Sequence, residues 1–433
     1  MMRYDKTAGH MDAPHMYREI SHELWDRLIP FWAGLRDDIY GGYTGYVGHD
    51  LRRDPEAEKG CILNSRILWF FSEAFLFSRE ENREDKALLA HADHAFRFLR
   101  DVFYDWEAGG LFWSVTHDGK PLDTTKHTYC QAFGIYALSA YYRASGHAEA
   151  LNLAEEIRDL IEQRCTDDAG YCEAYTRRFH PQSNEKLSEN GVMAEKTMNT
   201  LLHVLEAYTG LLEAEKTAGR TREKTAAYLH KTICLYADHV YSPALHHGLV
   251  FFDRTYHSLI DLYSYGHDIE AGWLIDRALD VLDDPELDSR IRPITLDISE
   301  EAIHAAFDGR SLAEESEYGL VKERRVWWVQ AECLTGLLNM AERVGRARTP
   351  RHAMDHDMCL DAAWNEWGFI RDYLRDTRPG SEWFESVGAD GVVTDKTAIV
   401  QPWKCPYHNG RMCIEALRRL KRIVHKNFDG EVT

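Results

Sequence analysis

The chain is 433 residues long and 44% hydrophobic, enough for one large core or several ordinary domains. Lysine and arginine total 51 against 71 aspartates and glutamates, and the resulting net charge of −20 argues against nucleic acid and, more mildly, against an anionic substrate. Nine cysteines are scattered from Cys61 to Cys413 without a C-x-x-C pair or a zinc spacing, the N-terminus has no apolar leader, and no run of about 18 apolar residues could span a membrane. These features read as a cytoplasmic protein with reduced thiols.

In chain order, residues 1–15 read as a variable extension. Residues 16–425 read as one domain, because no Pro/Ser-rich linker interrupts them and the 12 prolines are dispersed. Within that domain one pattern returns: an acidic or turn residue, one or two glycines, then aromatics. It occurs as DDIYGGYTGY, DWEAGGLFW, DDAGYCEAY, HHGLVFFD, a weaker FDGRS and PGSEWFE, marked by Gly42, Gly110, Gly170, Gly248, Gly309 and Gly380. Glycine permits the turn, and the aromatics after it favour a short strand or hairpin.

Between the turns the periodicity is helical. Leu88, Ala92, Ala95, Phe96, Leu99, Val102 and Phe103 draw one apolar stripe, the mark of an outer helix. Residues 67–77 and 131–142 are apolar on more than one side, the mark of buried helices. Six such units predict an all-α fold, either an (α/α)6 barrel of six inner and six outer helices with short β-hairpins in the connections, or an open solenoid. Burial of the inner layer favours closure.

Each buried helix opens with polar and aromatic groups. They are Asn64 and Arg66; His127, Tyr129 and Gln131; Asn199 and His203; His267, Glu270 and Trp273; Trp327, Trp328, Gln330 and Glu332; and Trp403, Tyr407, His408 and Arg411. In a closed ring these first turns meet at one mouth and form one pocket. Taken singly, each residue has a plainer reading: Asn64 as a helix cap, His203 with Glu206 as a surface pair, the tryptophans as core. Taken together, buried arginine, histidine and glutamate are too costly to be incidental. His267 and Glu270, three apart on one helix face, could bind a metal, hold a hydrogen bond or do neither, and no third metal ligand is evident.

Histidine is the side chain best placed to move protons near neutral pH, and two on different inner helices suit proton removal from one face of a carbon and return to the other. Glu270 and Glu332 could instead supply a glycosidase carboxylate pair. No G-x-S-x-G, Walker loop or G-x-G-x-x-G is present. The 12 tryptophans and 22 tyrosines suit a sugar site, although aromatics are also ordinary core material.

The segments ILNSRILWFFSEA, KHTYCQAFGIYALSAYYRASG, MNTLLHVLEAYT, SYGHDIEAGWL, RVWWVQAE and WKCPYHNGRMCIEA resemble signature segments of the cellobiose 2-epimerases, in the N-acylglucosamine 2-epimerase superfamily. The likeness runs from about Leu24 to Arg422. It implies an (α/α)6 barrel that interconverts glucose and mannose at the reducing end of β-1,4-linked disaccharides, cellobiose to glucosyl-mannose and lactose to epilactose, through a cis-enediolate. A small-molecule disaccharide is the implied partner, with no metal and no organic cofactor.

Carried onto this sequence, the resemblance implies acid/base roles for His267 and His408. Arg66, Asn199 and His203 would stabilise the oxyanion, with Tyr129 beside them. Glu270 would orient a histidine or assist ring opening, Glu332 would bind sugar hydroxyls, and Trp273, Trp328 and Trp403 would stack on sugar rings. Second comes a related epimerase or aldose–ketose isomerase acting on mannobiose, mannose or an N-acylglucosamine. An (α/α)6 glycoside hydrolase comes third and a non-catalytic helical scaffold last.

Overall fold

A computed structural model describes residues 11–344, 354–393 and 395–429. The extension expected at residues 1–15 lies outside the described residues as far as residue 10. From Met11 the chain is placed, and Asp12 caps the first helix by accepting from the His15 amide.

The outer helices are α1 (Ala13–His22) with its continuation α2 (Ile29–Ala33), then α4 (Lys86–Phe98), α6 (Ala148–Arg164), α8 (Glu223–Leu235), α10 (Pro285–Ala306) and α12 (His356–Phe369). The inner helices are α3 (Cys61–Glu80), α5 (Thr128–Ser145), α7 (Met198–Ala218), α9 (Tyr265–Leu282), α11 (Trp327–Arg343) and α13 (His408–Asp429). Inner and outer helices alternate along the chain, as the sequence repeat predicts. The apolar segments 67–77 and 131–142 fall inside α3 and α5, which are buried on nearly every side. In α4 burial follows the expected stripe of Leu88, Ala92, Ala95 and Phe96.

Periodicity does not foretell how outer helices end. Three of them loosen into a π-helical turn immediately before a glycine turn, at Leu99–Phe103, Tyr236–Val240 and Ile370–Leu374. Both ends of each such turn are buried apolar residues, so the extra residue per turn lets the chain descend while keeping its apolar side inward.

All six glycine turns close with antiparallel pairing: Arg36 with Tyr43, Tyr104 with Leu111, Thr166 with Tyr171, Tyr241 with Gly248, Phe307 with Leu312, and Arg375 with Trp383. The following inner helix then grips the turn. Asn64 accepts from the Tyr43 amide, Gln131 pairs with both the amide and the carbonyl of Leu111, Asp268 accepts from the Gly248 amide, and Gln330 pairs with both backbone groups of Leu312. Gly110 shows why the marker is glycine: its φ is +70°, and a Cβ there would lie 2.7 Å from Gln131 Oε1. Asn64, Gln131 and Gln330, read as pocket groups from their place in the sequence, are therefore turn clamps.

The result is a helical toroid. It is completed where α13 packs against α3 and α1, where Val47 pairs with Val400, and where Trp383 and Trp367 donate to Glu23 and Glu19. Farther along the inner helices, away from their N-terminal turns, charges alternate around the ring. Arg418 meets Glu73 (3.3 Å), Glu73 meets Arg143 (2.8 Å), Arg143 meets Glu213 (3.2 Å), Glu213 meets Arg277 (3.0 Å), and Arg277 and Arg418 both meet Glu415 (4.0 and 3.3 Å). No helix among the described residues is long and apolar enough to cross a membrane.

Candidate active site

The N-terminal turns of the inner helices surround a cavity of about 190 Å³. Arg66 from α3, Tyr129 from α5, Asn199 and His203 from α7, His267 and Glu270 from α9, Trp327 and Trp328 from α11, Trp403 from the segment leading into α13, and His408 at its start all line it. A wider hollow of about 510 Å³ opens outside, against α6, but its charged residues Glu107, Glu156 and Arg164 are exposed to water.

The two histidines expected to move protons share one indole. The Trp328 ring centroid lies 4.7 Å from that of His267 and 5.6 Å from that of His408. Gly266, next to His267, makes room for this, since a Cβ there would meet Trp328 at 2.7 Å. His267 Nδ1 bonds Ser264 Oγ at 2.7 Å, and His408 Nδ1 bonds Glu332 Oε1 at 2.7 Å. Burial pushes His267 down to about 3 and His408 well below the ordinary histidine range, so both imidazoles are neutral at pH 7.

Beneath them lies a charged node whose members the sequence offered one by one without joining them. The Arg411 guanidinium donates to Glu206, Glu270 and Glu332 together, and to the Tyr407 hydroxyl. Glu332 also accepts from Trp273 Nε1 at 2.9 Å, and it is 1% exposed. Its carboxylate thus faces three donors, two of which, arginine and indole, can only donate. Two expectations change as a result. Glu332 lies outside the cavity lining with both oxygens engaged, and it fixes His408 with Nδ1 as donor and Nε2 free. Trp273 is fully buried under Arg411, 4.7 Å from its guanidinium, and cannot stack on a sugar.

Glu206 is no surface partner of His203. It is 3% exposed, its Oε2 holds His203 Nδ1 at 2.9 Å, and Arg411 keeps its carboxyl well below the usual range. Glu270 behaves oppositely. Burial, aided by the Glu332 carboxylate, pushes it up to about 8, and only its Oε1 is taken by Arg411. Arg66 donates to the Tyr129 hydroxyl at 2.8 Å and lies between the rings of Phe133 and Tyr407, at 4.2 and 4.4 Å.

Donor atoms of Glu270, Glu332 and His408 lie within 4.8 Å of one another, a metal-like grouping different from the His267–Glu270 pair weighed in the sequence. Arg411 is ion-paired with both carboxylates of this group. Of the carboxylate pair weighed for a glycosidase, Glu270 lines the cavity and Glu332 does not, and both are held on Arg411.

Leu187 and Glu189, from the connection that precedes α7, complete the lining, and no sequence signal marked them. Residues 41–409 match the family model described as N-acylglucosamine 2-epimerase. The chain belongs to the N-acylglucosamine 2-epimerase family. A cellobiose 2-epimerase from Eubacterium cellulosolvens is 48% identical over 411 residues, covering 92% of this chain and 96% of that protein. The crystal structure of a sugar epimerase from a ruminal bacterium superposes with a TM-score of 0.87 at 43% identity, over 93% of this chain and 99% of the other. The structure of the cellobiose 2-epimerase from Bacillus thermoamylovorans B4167 superposes with a TM-score of 0.85 at 40% identity, over 94% of this chain and 100% of the other. Membership of the N-acylglucosamine 2-epimerase family makes the chain an isomerase, an epimerase that acts on a sugar.

Proposed function

We propose that the protein epimerises the reducing-end sugar of β-1,4-linked disaccharides at C2, converting cellobiose to glucosyl-mannose and lactose to epilactose. The observation that carries this reading is the pair of neutral imidazoles on one indole at one cavity, with His408 Nε2 freed by the bond from Nδ1 to Glu332.

The groups suit the following course. The ring opens as the O1 proton passes to His267 and Glu270, whose raised affinity keeps it protonated near neutral pH, gives a proton to the ring oxygen. His408 Nε2 takes the C2 proton, and Glu332 stabilises the imidazolium. Arg66 and Asn199 face the enediolate oxygens. After the C1–C2 end turns, His267 returns its proton to the opposite face of C2. Ring closure restores a proton to Glu270, and O1 takes back the one held by His408.

His203 is better suited to a different role from oxyanion donor. Its Nδ1–H is committed to Glu206, so neutral His203 offers Nε2 as an acceptor for a sugar hydroxyl. Trp328 and Trp403 are the indoles left to cover sugar faces.

The test is product analysis after incubation with cellobiose, lactose, mannobiose, glucose and N-acetylglucosamine. The reading expects the C2 epimers of cellobiose and lactose as main products. Conversion of N-acetylglucosamine or a monosaccharide alone would overturn it.

A further inference from the structure

Leu187 and Glu189 are the cavity residues carried neither by an inner helix nor by the segment leading directly into one. Their connection runs from the strand Ala174–Tyr175 to the strand Lys196–Thr197, and both ends of the stretch that reaches the cavity are tied down. At the near end, Asn184 is 3% exposed and its Oδ1 accepts from the Leu187 amide at 3.2 Å and from His127 Nε2 at 2.9 Å. The backbone donor fixes which way the Asn184 amide points. His127, fully buried, receives the Tyr129 amide on Nδ1, so the single N–H of its neutral ring lies on Nε2, facing Asn184. Burial pushes His127 down to about 4, which keeps that ring neutral.

At the far end, Asn190 donates to Glu315 and Glu317 at 3.2 and 3.0 Å, and Lys322 balances that carboxylate pair. The strand Glu315–Glu317 pairs with Leu262–Ser264, whose last residue holds His267. Asn190 and Gly191, with φ of +54° and +78°, turn the chain away once the anchor is made.

We infer that residues 184–190 are a strap anchored at both ends, and that Asn184, His127 and Asn190 are positioning residues that set how tightly the cavity holds the sugar unit beyond the reacting one, without touching substrate. This rests on the epimerase reading of the site. The strap meets the cavity from outside the ring of helices that carries the proton-moving groups, so releasing it loosens binding and leaves the chemistry in place.

The test is steady-state kinetics on cellobiose with the full chain. N184A and N190A should each raise KM about fivefold to tenfold, the scale of one lost hydrogen bond, with kcat within about twofold of wild type. His127 separates a strap role from a helix-cap role. His127→Asn keeps an acceptor for the Tyr129 amide but cannot reach Asn184, and should raise KM like N184A. His127→Gln keeps a donor toward Asn184, and should hold KM closer to wild type. Unchanged KM in both asparagine variants, or a loss confined to kcat, overturns the strap, and N190A supplies the answer should N184A fold poorly. A wild type that converts no cellobiose would instead sink the reading of the site itself.

Discussion

Trp273 and Glu332 show how depth along a helix decides a role. An α-helix rises about 1.5 Å per residue, so Trp273, six residues past His267, sits roughly 9 Å deeper, and Glu332, four past Trp328, roughly 6 Å deeper. Sequence spacing places such residues near the mouth but does not say on which side of its floor they fall. With Glu332 beneath His408, the proposed course expects E332Q to lower kcat about 100-fold with little change in KM, because an imidazolium formed on His408 would lose its counter-charge. A raised KM at unchanged kcat would return Glu332 to the sugar hydroxyls. The pH profile carries a second expectation. Glu270 must be protonated to act as an acid, a condition met below about 8 and lost above it, whereas His267 stays neutral down to about 3. The kcat/KM of the free enzyme should therefore fall above about pH 8 and show no histidine limb near pH 6.5. An acid limb there would mean solvated, ordinary imidazoles.

Among elements, the glycine turn and its clamp form the repeating part. In G110A the new methyl would force both a left-handed φ and a clash with Gln131, and equilibrium unfolding in urea should show a loss of about 2 kcal/mol or more. An unchanged midpoint would mean the clamp carries no strain. These turns were legible in the sequence because glycine beside aromatics stands out at long, regular intervals, and the buried helices were legible because they are apolar all round. Asn64, Gln131 and Gln330 misled because a polar side chain at the head of a buried helix reads the same whether it faces the pocket or grips the preceding turn. The π-helical turns and the strap left no mark, since one extra residue per turn leaves periodicity nearly intact and Leu187 and Glu189 lie in a stretch with no period at all. Glu206 was visible beside His203, but its burial depends on Arg411 and Tyr407, some two hundred residues away.

At the scale of the whole molecule, one ring of helices does two jobs: its N-terminal turns converge on the cavity, and farther along its alternating charges tie neighbouring helices together. Arginines hold the buried Glu73 carboxyl below its ordinary value and bring Glu415 down to about 2. Carboxylates depressed in the folded state lend stability that is present above their unfolded value of about 4.3 and lost as pH falls toward the folded one. Thermal stability should accordingly drop between about pH 5 and pH 2, and E73Q should cost about 3 kcal/mol at pH 7 while making that drop shallower. An E73Q profile parallel to wild type would place the acid sensitivity elsewhere. The central claim is that two imidazoles brought together by ring closure exchange the C2 proton of a sugar. Incubating cellobiose in D2O and reading C2 of the recovered disaccharides by NMR tests it most directly. Deuterium at C2 of the glucosyl-mannose product is the predicted result, and an epimer that keeps its original hydrogen would contradict the account.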